Sequence, residues 1–115
     1  ALPSLAVAFE ALLAETEPEV AFKLADLGVA PLKVAFPWIV KAFVGYLEVE
    51  QVLLLWDRII GFDSLLPLPL LAAGIFSFRR EALLAATRKE DVLEVLEKID
   101  QIKVVPLLQH LLFAR

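Results

Sequence analysis

Val49-Glu50-Gln51-Val52-Leu53-Leu54-Leu55-Trp56-Asp57-Arg58-Ile59-Ile60-Gly61 is the stretch that decides the fold class. Val49, Val52, Leu53, Trp56, Ile59 and Ile60 recur at steps of three and four residues, which places them on one stripe of an α-helix. Leu54 and Leu55 widen that stripe, so the helix is expected to be buried on more than one side. Gly61 supplies a stop. No stretch of the chain alternates apolar and polar residues with turn signals, so no sheet is expected.

The same periodicity continues on either side. Upstream, Leu5, Phe9, Leu12 and Leu13 share a helix face, with Pro3 and Ser4 as starters. Thr16-Glu17-Pro18-Glu19 has capping-box spacing, and Gly28 suits a left-handed helix end. Pro31 opens a short turn and Pro37 is expected to restart the helix, with Ile39, Ala42, Phe43 and Tyr46 on one face. Downstream, Asp63 or Ser64 can cap a helix whose first turn holds Pro67 and Pro69. Its body runs from about Leu70 to Ala86 and is apolar nearly all round. Such a helix belongs at the centre of a bundle. Thr87-Arg88-Lys89-Glu90 is a second capping-box pattern, followed by an inner stripe of Val92, Val95, Leu96 and Ile99 and an outer Glu94–Lys98 pair. A last helix starts near Lys103, with Pro106 in its first turn, and runs to about Phe113. The expectation is an all-α bundle of about six to seven helices in one helical domain, 1–115.

Composition limits what such a bundle can do. The chain has 115 residues, 60% of them hydrophobic, against about 45–50% in ordinary domains. A chain this short buries only roughly two-thirds of its unfolded surface. The excess should emerge as an apolar patch, which marks a partner surface and a chain that belongs to something larger. The longest apolar run, Leu65 to Phe76, contains Pro67, Pro69 and Gly74 and falls short of the ~18–20 residues a membrane span requires. With no Cys, thiolate and zinc–thiolate chemistry is excluded within the chain. A net charge of −4 leaves no basic stripe for nucleic acid.

Catalytic constellations are not apparent. His110 is the single histidine and has no ligand-spaced partner, so no metal site is expected. A nucleophilic triad would need Ser4, Ser64 or Ser77 beside it, without the strand–turn–helix setting such nucleophiles use. The four glycines form no phosphate cradle, and no nucleotide or other cofactor is expected. Arg79 and Arg80, after Phe76 and Phe78, fit either the solvated end of a long buried helix or a basic contact for a partner or an acidic headgroup. Asp57 and Arg58 fit either a satisfied ion pair that fixes packing or a partner-binding charge pair.

Trp38, Phe43, Leu55, Trp56 and Asp57, in this order and spacing, resemble the C-terminal half of a TBC domain, the fold of Rab GTPase-activating proteins. That half carries a Trp and a following Phe on one helix, then a helix ending in L-W-D, then a long apolar helix. Leu24 to Pro31 is similar to the family's approach to the Trp helix. The resemblance implies a cytoplasmic protein, peripheral to membranes, whose partners are the N-terminal half of a TBC domain and a Rab-type small GTPase. It also implies that catalysis uses an Arg in I-x-x-D-x-x-R and a Gln in Y-x-Q. Ile60-Gly61-Phe62-Asp63 begins the first motif, but the third residue after Asp63 is Leu66. Tyr46-Leu47-Glu48 has Glu where the second requires Gln. No catalytic residue is therefore carried over. The expectation is a supporting, partner-binding subdomain of a larger TBC domain, with Arg58, Arg79 and Arg80 as its candidate partner contacts. The alternative is a non-catalytic helical adaptor or assembly module with a degenerate TBC fold.

Overall fold

The computed structural model describes residues 2–113, with side chains described for 4–112. Eight helices follow one another: α1 (Leu2–Thr16), α2 (Pro18–Asp26), α3 (Pro31–Val40), α4 (Val49–Phe62), α5 (Pro67–Phe78), α6 (Arg80–Ala85), α7 (Lys89–Glu97) and α8 (Val104–Phe113). No strand occurs among the described residues; Val44 and Leu47 form an isolated bridge. The fold is all-α, as the periodicity requires.

Proline sets several of the boundaries. It lacks an N–H and pushes the preceding residue out of the helical region. Pro18, Pro31 and Pro67 are the first residues of α2, α3 and α5, where a missing N–H costs nothing. Glu17, ahead of Pro18, is extended at φ −137°. The expected Thr16–Glu19 box does not form there. α1 runs through Thr16, whose hydroxyl donates back to the Leu12 carbonyl at 2.7 Å, and Glu19 turns instead to Arg80.

Three helices close with the same pair of bonds. After α2, Val29 N–H donates to Leu24 and Gly28 N–H to Ala25, with Gly28 at φ +77°. After α3, Phe43 donates to Trp38 and Ala42 to Ile39; after α4, Ser64 donates to Ile59 and Asp63 to Ile60. Each is a Schellman closure with a left-handed residue at its turn. At the second that residue is Ala42 (φ 49°), followed by Phe43 (φ 65°); at the third it is Asp63 (φ 50°), so Gly61 does not end α4. Left-handed backbone costs a residue with a side chain ~1–2 kcal/mol. The buried Phe43 ring on Trp38 holds the second closure in place. The helix expected to restart at Pro37 is absent. Pro37 sits inside α3, and 41–47 form turns. Pro37 and Lys33 both lie on the exposed side, where a carbonyl freed by proline can meet water.

α5 is the central helix. From Pro67 to Phe76 all but Leu70 are buried, and the helix packs against α1, α3, α4 and α8. Phe76 joins two sides of the core: its ring lies 5.5 Å from Phe9 and 6.0 Å from Trp38, which lies 5.9 Å from Phe43. The long helix expected to reach Ala86 breaks at Arg79, which makes the helices eight.

Gly74 lets α8 approach α5. A Cβ there would stand 2.7 Å from Leu111 Cδ1 and 3.0 Å from Leu107 Cγ. Overpacking costs ~1–3 kcal/mol, and removing a helical glycine returns ~1 kcal/mol. Gly74→Ala is therefore expected to lower stability by about 0–2 kcal/mol in urea unfolding. Gly74→Val should lower it further.

α7 begins one residue later than the expected box. Its acceptor is Asp91, not Glu90: one carboxylate oxygen takes the N–H groups of Thr87 and Arg88 at 3.2 Å each, and the other takes the Arg88 guanidinium at 3.1 Å. The Arg88 guanidinium, aided by the Thr87 N–H, holds the Asp91 carboxyl below its ordinary value of 3.8. A depressed folded value adds stability above the unfolded value, and that stability is lost as pH falls through the folded one. Asp91→Asn should lower the melting temperature at pH 7. The gap to wild type should close as melts are repeated below pH 3.8.

Candidate functional site

The L-W-D helix, α4, has two apolar faces. Gln51, Val52, Leu55 and Ile59 turn inward and are buried. Val49, Leu53, Trp56 and Ile60 turn outward and are 76%, 62%, 39% and 73% exposed. The stripe read from sequence mixed these two faces. Trp56, Leu53 and Ile60 are not core residues of this chain, and α4 is buried on one side only. The apolar excess does surface as expected: among the described residues fifteen large hydrophobic side chains are exposed, and four of them share this helix face.

Gln51 is buried among apolar neighbours. Its Oε1 accepts the Val104 N–H at 2.8 Å and so ties α4 to the first amide of α8. Amides in a first helical turn have no partner within the helix, and Gln51 supplies one from another part of the chain. Its polarity inside an apolar stripe was a legible signal that the sequence reading did not use.

The residues singled out in the sequence separate into two groups. Trp38, Phe43 and Leu55 are buried core. Asp57 and Arg58 are exposed on α4, and among the described residues no hydrogen bond or ion pair joins them to each other or to the body. The packing ion pair considered for them is thus absent. Arg79 and Arg80 are engaged. Arg79 donates to the Lys98 carbonyl at 2.8 Å and lies 5.2 Å from the Phe78 ring. Arg80 pairs with Glu17 and Glu19 at 3.0 Å each. Ser77 donates to the other Glu17 oxygen at 2.8 Å. Glu17 therefore binds α2 to the α5–α6 junction.

His110 is exposed and shares a crevice with Ser77, Phe78 and Pro106. The Ser77 hydroxyl proton points to Glu17 and not to the imidazole, so no nucleophile–base pair is set up. Ser4 and Ser64 lie elsewhere; Ser64 Oγ accepts the Leu66 N–H ahead of α5. Among the described residues no group of three His, Cys, Asp or Glu side chains could hold a metal ion. No described helix is long and apolar enough to cross a membrane. At the two positions compared with the finger motifs, Leu66 and Glu48 are both exposed.

The family model of the Rab-GTPase-TBC domain matches residues 2–84, from α1 nearly to the end of α6. The chain belongs to the TBC family. It is 45% identical over 111 residues to human "TBC1 domain family member 19", a match covering 96% of this chain and 21% of that protein. It is 32% identical over 79 residues to "TBC domain-containing protein kinase-like protein" of Dictyostelium discoideum, covering 69% of this chain and 8% of that protein. This TBC chain thus spans about a fifth or less of the length of the curated relatives it matches. No solved structure matches it.

Proposed function

We propose that this chain is a supporting, partner-binding subdomain of a TBC-type Rab GTPase-activating protein. It packs against the N-terminal half of the TBC domain and helps frame the surface that meets a Rab-type GTPase. The arginine and glutamine that act on the nucleotide come from outside residues 1–115. The observation that carries this reading is α4, the family's L-W-D helix, whose second apolar face is finished as a packing surface and left uncovered. Leu66 and Glu48 at the compared motif positions support the absence of catalytic fingers. Of the three arginines, Arg58 is the one without a bond to another described residue and is the first candidate for a partner contact. The working location is cytoplasmic, at membrane surfaces where Rab proteins reside.

The test is GTP hydrolysis by a panel of GTP-loaded Rab proteins. The chain is added alone, then with an N-terminal TBC half carrying both finger motifs. Alone it should leave hydrolysis at the basal rate. Together the halves should associate and accelerate it on the order of 10³–10⁵-fold for a matching Rab, the scale an inserted arginine supplies. Acceleration by the chain alone overturns the proposal. Association that leaves every Rab at its basal rate assigns the chain to the adaptor alternative.

A further inference from the structure

We propose that the outer stripe of α4 seats an amphipathic helix whose own apolar seam is edged by Lys or Arg. This rests on the reading of the chain as a supporting subdomain and names the chemistry of what covers it. Val49, Leu53, Trp56 and Ile60 succeed one another at steps of four, three and four. On a helix these steps keep the side chains within roughly 60° of arc, the spacing with which one helix receives another in a coiled-coil seam. Trp56 stands within the seam, and a large aromatic inside an apolar patch is the usual anchor of an interface.

The two edges of the seam differ. On one side lie Val52 and Ile59, buried against the body. On the other lie Glu50 and Asp57, seven residues apart and both exposed. Arg58 is a further ~100° round the helix and does not offset this acidic edge. A second copy of the chain fits poorly. Antiparallel pairing sets Glu50 against the copy's Asp57, like charge against like. Parallel pairing turns each acidic edge toward the Val52–Ile59 side, whose side chains are apolar and offer no counter-charge of their own. An anionic membrane surface meets the same repulsion. A helix with a basic edge satisfies both parts of the seam, because flanking charge pairs select partner and orientation in such contacts.

The test uses the full chain and two synthetic helical peptides with the same leucine seam, one edged with Lys and one with Glu. Trp38 is buried and Trp56 open, so a blue shift in tryptophan emission reports occupation of the seam. The Lys-edged peptide is expected to bind at least about tenfold more tightly at low salt, with the gap narrowing as salt rises. Leu53→Asp should abolish binding, with helix content checked by circular dichroism. Glu50→Lys combined with Asp57→Lys should reverse the preference. Equal affinity for the two peptides, no binding of either, or undiminished binding to Leu53→Asp overturns the proposal, as does sedimentation showing a dimer that Leu53→Asp dissolves. Association with the N-terminal TBC half is measured alongside. If it survives Leu53→Asp, the supporting role stands and this seam is wrong. If the Lys-edged peptide binds but the half does not, the seam stands and the supporting role falls.

Discussion

Phe76→Ala is expected to cost about 3–5 kcal/mol, the usual loss for a fully buried aromatic. The ring is completely buried and touches Phe9 of α1 and Trp38 of α3 at once. Its removal empties the place where three helices meet, and little around it can collapse to fill the space. Against a typical domain stability of ~5–15 kcal/mol, the loss should lower the melting temperature by more than about 10 °C. Urea unfolding followed by circular dichroism gives the direct measure. Phe22→Ala is the matched control: the same side chain is 77% exposed on α2, and its loss should stay within about 0.5 kcal/mol. Equal losses at the two positions would contradict the packing described.

Gln51→Leu is expected to cost about 1–3 kcal/mol although it keeps most of the volume of the side chain. The Val104 N–H loses its acceptor, and Val104 is itself buried. A buried donor without a partner incurs its full desolvation cost. Two measurements separate this from a packing effect. Urea unfolding should show the loss, and hydrogen exchange should show the Val104 amide exchanging faster than it does in the wild type. An unchanged Val104 amide would mean that the bond does not govern the start of α8.

Much of the helix plan was legible because proline speaks locally. Pro18 and Pro67 mark helix starts, Pro106 falls within the first turn of α8, and Gly28 closes α2, while Pro31 opens the whole of α3 where a short turn was expected. Rules with a local cause transfer directly from sequence to structure. Pro37 was misread because its effect depends on which side of α3 faces water, which is a property of the bundle. The left-handed pair Ala42–Phe43 was invisible for a similar reason: neither residue favours that backbone, and buried packing on Trp38 imposes it. The break at Arg79 carries neither proline nor glycine. The bonds from Arg79 to α7 and from Arg80 to α2 hold it.

The extent of α4 was legible in the sequence and its orientation was not. Periodicity ran the two faces of α4 together as one wide buried stripe, because Val52–Leu55–Ile59 and Val49–Leu53–Trp56–Ile60 satisfy a helical period equally well. Only the positions of α5 and α8 decide which one turns inward. Gln51 and the Glu50–Asp57 edge were the available clues, since a lone amide suits the inner wall and paired acids suit the outer rim. Arg79 and Arg80 could not be sorted from sequence, because Glu17 and Glu19 lie about sixty positions away along the chain.

The place of α5 also governs the order in which the protein can assemble. The face of α1 that carries Phe9 is completed by Phe76, so synthesis must pass through α2, α3 and α4 before that face finds its cover. A chain emerging from the ribosome at about 5–20 residues per second holds a greasy α1 open for several seconds. Local helices form far faster than this, but the Phe9 face of α1 stays open until α5 arrives. Chaperone capture and misassembly should therefore persist in nascent chains until α5 is free of the exit tunnel, and decline after it.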